Sequence, residues 1–309
     1  MVERRYSQGF TLIELSIVLV VIGLIVGGIL VGQNLIVASQ VRATITQVEK
    51  FNQAANTFYG KYGFLPGDMP AGPAAQFGFG ARGTAPGQGD GNGIIQGYAG
   101  SALGGFENAG ETVTFWVDLS TARLIEYGFT QGSETSGPGV ISPTTSPNLD
   151  AFFPAAKIGN GNYFYIWSGD FAGLEDSVPP NYFGLSVPVS IDPGWVIISN
   201  PGLTVAQASS IDKKVDDGLP QTGNVLAAYY NFNLNCCGGA WAGGGGVEGA
   251  HNGGWTTSRG LPYTGQTQGT SLTCYDNGNV NGATQQYSVE ISNGTGVNCA
   301  LSFRMQAGD

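Results

Sequence analysis

The stretch Gly9-Phe-Thr-Leu-Ile-Glu14-Leu-Ser-Ile-Val-Leu-Val-Val-Ile-Gly23-Leu-Ile-Val-Gly-Gly28-Ile-Leu-Val31 decides the fold. Only Thr11, Glu14 and Ser16 are polar between Phe10 and Val31. At about 1.5 Å per residue the run spans ~33 Å as a helix, enough for the hydrocarbon core of a bilayer. Arg4 and Arg5 precede it, which keeps the N-terminus cytoplasmic and exports the remainder of the chain. A secretory signal would have a shorter apolar region and a small-residue cleavage site behind it. Here the helical pattern continues through Gln40 without such a break, so the segment reads as retained. Glu14 is the anomaly, because an ionisable group inside an apolar span costs roughly 2–3 kcal/mol and calls for a partner unless it sits at headgroup level.

Gly9-Phe10-Thr11-Leu12-Ile13-Glu14-Leu15, with its basic leader and long apolar run, resembles the class III signal of type IV prepilins and type II secretion pseudopilins. The resemblance implies cleavage between Gly9 and Phe10 by a prepilin peptidase and methylation of the new amino group of Phe10. It further implies that Glu14 neutralises the N-terminal amine of a neighbouring pilin or pseudopilin subunit, supplying the partner that burial demands. Desolvated pairs of this kind set register. The location it implies is the bacterial inner membrane, single-pass, with the N-terminus cytoplasmic and the body periplasmic or extracellular, and then the pilus or pseudopilus.

Downstream, Val41, Ile45, Val48, Ala55 and Tyr62 follow a helical stripe with Arg42, Gln47 and Lys50 between them, which predicts one helix from Phe10 to about Tyr59. Gly60, Gly63 and Pro66 oppose its continuation. The chain is thus divided into a leader (1–9), a transmembrane assembly helix (10–33), an amphipathic second half (34–62) and an exported body (63–309). In the body, a glycine-rich loop to about Gly105 precedes a helix over Glu111–Ile125 and a second over Leu203–Asp212. Short alternating runs predict strands at Tyr163–Ser168, Val187–Ile191, Trp195–Ser199, Tyr287–Ile291 and Ala300–Met305. The fold class is α+β and pilin-like: a long N-terminal helix, its first half transmembrane, packed on a glycine-rich antiparallel sheet. The runs around Phe115-Trp116 and Asp212–Pro220 look similar to the bodies of a subgroup of bacterial prepilin-like proteins.

Cys236, Cys237, Cys274 and Cys299 all lie in the exported part, where disulfides persist. Three connectivities are open. One joins Cys274 to Cys299 beside an adjacent Cys236–Cys237 pair; the others cross-pair the adjacent cysteines with the distal two, and are preferred because an adjacent-residue bridge strains its peptide. Zinc is disfavoured, since adjacent cysteines lack the C-x2-C spacing. Close oxygen-bearing side chains make Asp90, Asn92, Asp212, Asp216, Asp217 and Asp276 calcium candidates. None completes a twelve-residue calcium loop, and Asp-Gly and Asn-Gly pairs are also ordinary turn formers. No other cofactor is called for.

The 309 residues include 51 Gly and 15 Pro, with 11% charged and 42% hydrophobic, excluding a disordered chain. With no strict glycine repeat, a collagen is excluded too. From Gly63 onward there are 19 acids and 7 bases, so no nucleic-acid partner is expected. His251, the one histidine, lies among Gly, Ala and Asn, a poor setting for acid–base catalysis. Ser210-Ile-Asp-Lys213 fits S-x-x-K but lacks that motif's companions. The chain reads as a structural subunit and not an enzyme; a membrane-anchored exported binding or hydrolytic domain is the rival. The size of the processed chain suggests a minor component, and Glu14 argues against the large tip pseudopilin of type II secretion, a group that generally lacks it.

Overall fold

The computed structural model describes residues 11–82, 88–97, 110–130, 132, 149–168, 180–191, 197–230, 239–242 and 265–308. Helix α1 runs Leu12–Tyr62, and the chain divides into two compact units, Met1–Gln40 and Val41–Asp309. In the first, none of the described residues is buried. In the second, α1 buries Val41, Thr44, Gln47, Val48, Phe51, Ala54, Ala55 and Phe58, a stripe at intervals of three and four residues. The sequence stripe caught Val41, Val48 and Ala55, but its largest members are Phe51 and Phe58. Gly60 stays inside the helix, which ends at Gly63 in the left-handed region with φ +77°.

Two further helices lie before the sheet. Helix α2, Ala71–Phe77, occupies what sequence patterning reads as loop; Pro70 opens it and Gly78, at φ 76°, closes it. Helix α3, Glu111–Thr121, is shorter than the expected span and almost wholly buried. It stops in a double C-terminal turn, Arg123 N–H to Ser120 carbonyl at 3.0 Å and Leu124 N–H to Leu119 carbonyl at 2.9 Å. That turn places Arg123 at φ +57°, a position normally taken by glycine.

The main sheet is antiparallel. Its strands are β1 (Tyr163–Ser168), β2 (Asn181–Ile191), β3 (Ile197–Asn200), β4 (Val225–Leu226) and the C-terminal Leu301–Arg304. Smaller pairs join β5 (Ala228–Tyr230) to β6 (Gly239–Trp241) and β7 (Tyr275–Asp276) to β8 (Gln286–Tyr287), so the C-terminal strand is β9. The order is β1-β2-β9-β4, with β3 on the far end of β2. Strand β2 organises the sheet: Tyr163 faces Ser186, Leu185 faces Leu301 and Val187 faces Asn200. Helix α4, Val205–Val215, starts on a capping box in which Gln207 N–H donates to the Thr204 hydroxyl and Thr204 N–H to Gln207 Oε1. This reciprocal bond explains why it begins later than the expected Leu203.

Tyr287–Ile291 is not a strand beyond its first residue. Val289 N–H turns back to the Tyr287 carbonyl at 2.7 Å, and Ile291–Gly294 forms a 3-10 turn. Those local bonds take the donors a ladder would use. Cys274 and Cys299 form a disulfide with Cα atoms 5.0 Å apart, which corrects the preferred cross-pairing; Cys236 and Cys237 lie outside the described residues. The geometric reason is the Leu203–Cys299 bridge and the Asn298 amide, which donates to the carbonyls of Ser271 and Thr273 and holds 298–299 against 271–274.

The core is aromatic. Phe51 meets Trp116 edge-on at 4.9 Å and Phe164 at 5.4 Å, with Phe183 at 6.0 Å, so one side chain joins α1, α3, β1 and β2. We expect Phe51→Ala to destabilise the body by about 3–5 kcal/mol through lost burial and an unfilled cavity, read as a fall in denaturation midpoint by tryptophan fluorescence.

Candidate functional site

The N-terminal segment is built around one carboxylate. Gly9 and Phe10 lie outside the described residues. Thr11 and Glu14 open α1 in a reciprocal cap: Thr11 N–H donates to Glu14 Oε2 at 2.8 Å, the Thr11 hydroxyl to the same oxygen at 2.7 Å, and Glu14 N–H to the Thr11 hydroxyl at 3.3 Å. T-x-x-E is the sequence signature of this capping box at a helix N-terminus. All three contacts leave Glu14 Oε1 open among the described residues. Beyond it the helix is apolar and uncovered, with Leu12 92%, Leu24 72% and Leu35 66% exposed. It is long and apolar enough to cross a membrane. A contiguous surface of this kind requires lipid or other apolar helices around it.

The body gathers carboxylates in two places. In the first, Asp68, Asp90 and Glu111 bring ligand-capable oxygens within 4.8 Å of one another. Asp68 accepts from Gly91 N–H at 2.8 Å and Gly93 N–H at 2.9 Å. Glu111, at the start of α3, accepts from Gly89 N–H at 2.8 Å and Gln96 N–H at 2.7 Å. Burial pushes Asp68 up to about 7 and Glu111 well above the usual carboxylate range. Farther along α3, buried Asp118 receives both the Arg82 guanidinium and Gly67 N–H; burial raises its pKa and Arg82 opposes the rise. Gly67 lies at φ +84°, and a Cβ there would stand 2.3 Å from the Glu111 carbonyl oxygen, so only glycine allows this approach.

The second group is Asp212, Asp216 and Asp217, also within 4.8 Å. Asp212, on α4, accepts from Gly218 N–H at 3.0 Å and from the Tyr287 hydroxyl at 2.8 Å. Asp216 takes N–H groups of Asn224 and Val225, and Asp217 takes Leu219 N–H and the Thr222 hydroxyl. Burial pushes Asp212 up to about 7 and Tyr287 well above its ordinary value.

Of the calcium candidates read from sequence, Asp90 joins Asp68 and Glu111, while Asn92 donates to Asp90 and accepts the Ile94 N–H through its Oδ1. Asp276 stands apart, bonded to Gly278 N–H and the Ser288 hydroxyl. Calcium takes six to eight oxygens. Each cluster supplies three carboxylates, and most of their oxygens already accept N–H or O–H groups, so what the geometry shows is carboxylates organising loops. Asp68 and Glu111 were missed by sequence reasoning because 43 positions separate them; the buried helix start at Gly110-Glu111 was the available signal.

His251 lies outside the described residues. Ser210 accepts from Lys214 Nζ at 2.7 Å, an ordinary i, i+4 contact on the helix surface, and not from Lys213 of the S-x-x-K pattern.

Comparison with protein families matches residues 4–30 to the prokaryotic N-terminal methylation motif. The match contains Gly9, Phe10 and Glu14, and it identifies the segment as the class III signal peptide of type IV pilins and pseudopilins. No curated protein and no solved structure matches the chain.

The buried acids give a pH dependence of defined sign. Folded Asp212 titrates at about 7 against an ordinary 3.8, so between those values the folded chain holds a proton that the unfolded chain has released. Its contribution is therefore full below about pH 4, declines as pH rises to 7 and is flat above. Asp212→Asn keeps an acceptor for Gly218 and a partner for Tyr287. We expect it to flatten the thermal midpoint between pH 5 and 8 relative to the parent, measured by scanning fluorimetry in detergent.

Proposed function

We propose that this protein is a structural subunit of a type IV pilus or type II secretion pseudopilus, processed at Gly9–Phe10 and assembled through α1. The observation that carries the reading is the methylation motif on an apolar helical run, residues 10–33, with one charge and, among its described residues, none buried. Arg4 and Arg5 hold the leader on the cytoplasmic side, where the peptidase acts, and the apolar run keeps the chain in the inner membrane with the body beyond it.

Assembly then moves the apolar run of α1, residues 10–33, from lipid to a core of like helices, both of which tolerate few charges. Glu14 is the exception and gives the step its register. In the free subunit the Thr11 cap satisfies one carboxylate oxygen, and the other is open to the amine of a neighbouring Phe10. The ion pair is worth forming only when desolvated and fully bonded, and an unpaired Glu14 in the helix core is strongly disfavoured. Subunits out of register are thereby rejected. The processed chain is large for a repeating subunit, which favours a minor component.

Glu14→Ala should insert in the membrane normally and be lost from sheared filaments, scored by immunoblot of membrane and sheared fractions. Equal recovery of parent and variant in filaments would count against the pairing. Gly9→Ala should leave the leader attached, seen by intact-mass measurement. A parent chain that stays wholly in membranes under shear would favour an anchored binding or hydrolytic domain.

A further inference from the structure

Helix α3 carries two buried acids in opposite surroundings. Asp118 is neutralised by the Arg82 guanidinium. Glu111, about two turns earlier, pairs with no cation among the described residues. Its neighbours are Asp68 and Asp90, and oxygens of all three lie within 4.8 Å of one another. Asp68 and Glu111 are each 1% exposed. Carboxylates held this close and out of water cannot all keep their charge without a counter-charge, which either protons or a cation must supply.

The hydrogen bonds favour a cation. Every bond described at the three carboxyl groups runs inward: Gly91 and Gly93 N–H donate to Asp68, Gly89 and Gln96 N–H to Glu111, and Asn92 to Asp90. A protonated carboxyl would also donate, and an acceptor stands ready for it. Gln96 is 5% exposed, and its Oε1 is buried with no donor among the described residues. The Gln96 N–H is bound to Glu111 Oε2 at 2.7 Å, and covalent geometry keeps a glutamine Oε1 within about 6 Å of its own nitrogen. This oxygen therefore sits beside the carboxylates, unfilled. A proton-sharing cluster would consume it, whereas the shell of a metal ion requires it.

Holding the loops takes only part of the capacity of these acids. A carboxylate offers about four lone-pair sites. Each oxygen of the three accepts one bond, and only Glu111 Oε1 takes a second, from Asp90 N–H at 3.4 Å. With Gln96 Oε1 the donor set is all oxygen, which suits calcium or magnesium and not zinc. Magnesium demands a near-ideal octahedron and keeps several waters, for which two fully buried carboxylates leave little room; calcium accepts six to eight oxygens in flexible geometry. Half-buried Asp90 marks the side open to the ion and to the waters that complete its shell.

We propose that Asp68, Asp90, Glu111 and Gln96 bind one calcium ion. The ion joins three segments from different parts of the chain: the turn after α1 that carries Asp68, residues 89–96, and the start of α3. It supplies for Glu111 what Arg82 supplies for Asp118. The site lies within the body and does not depend on the assembly reading.

The test titrates the full chain, purified in detergent and stripped with EGTA, with calcium chloride in a calorimeter, and melts it with and without the ion. The expected result is one calcium per chain and a thermal midpoint about 5–10 °C higher when free calcium is roughly a hundredfold above its Kd. Glu111→Gln should cancel the calcium-dependent rise. Asp90→Asn, at the more exposed edge where folding is least at risk, should weaken binding by about tenfold or more. A variant that merely loosened the loops would shift both midpoints together and keep their difference. Asp217→Asn, in the other acidic group, should leave the titration unchanged, which assigns the ion to this cluster. A parent chain that takes up no calcium overturns the proposal, as does uptake that Asp90→Asn and Glu111→Gln leave unaltered. Magnesium bound as tightly as calcium overturns the choice of ion.

Discussion

The described core of the body is centred on one stripe of α1. Between Val41 and Phe58 the helix has to be apolar on the side that meets α3 and the sheet, and polar elsewhere. Phe51 supplies the centre of that stripe, touching Trp116, Phe164 and Phe183. Gln47, four residues earlier, supplies its polar fixed point, with both ends of its amide bonded to the chain around Tyr127 and Lys157. A buried amide with unmet bonds would cost about 1–3 kcal/mol, so these contacts fix the helix in one rotation. With the rotation fixed, the adjacent residues Glu49 and Lys50 fall in different grooves beside α1.

The acidity of the protein is partly internal. Asp68, Glu111, Asp118 and Asp212 are buried, and the formal charge of −10 overstates what the surface shows. Each buried carboxylate collects backbone N–H groups from irregular segments that no helix or strand would satisfy. Glu111 and Asp118 do so from one helix, α3, which thereby ties down Gly67, Gly89 and Gln96. This gives a physical role to loops that composition alone leaves as glycine-rich filler: small residues let the backbone come close enough to solvate an acid.

The long helix and the α+β class were legible in the sequence, because an uninterrupted apolar run continued by a 3.6-residue stripe has few other readings. Strand β1 was legible to the residue, since Tyr163–Ser168 is bounded by turn formers. The start of β2 was not: Asn181-Tyr-Phe-Gly184 lacks clean alternation, and its pairing with β1 and β9 comes from tertiary register. Tyr287–Ile291 failed for the reverse reason, a β-like composition overridden by local turns. In the disulfide region, peptide strain favoured cross-pairing, but the bridge is decided by the Leu203–Cys299 pairing and the Asn298 amide, which bring Cys299 beside Cys274 and which no local pattern reveals. Of the site residues, Glu14 was legible as a lone charge in an apolar run, whereas the Asp68–Glu111 and Asp118–Arg82 contacts join distant positions.

Strand β9 lies between β2 and β4, although it comes after every other strand in chain order. Until Leu301–Arg304 arrive, β2 has an open edge at Tyr182–Leu185 and β4 has no partner among the described residues. The sheet therefore cannot be completed from the N-terminal side as the chain emerges. Closure of the sheet waits on the segment that carries Leu301–Arg304. The Cys274–Cys299 bridge then fastens the residues just before β9 to those just before β7, a covalent hold on the strand that completes the sheet.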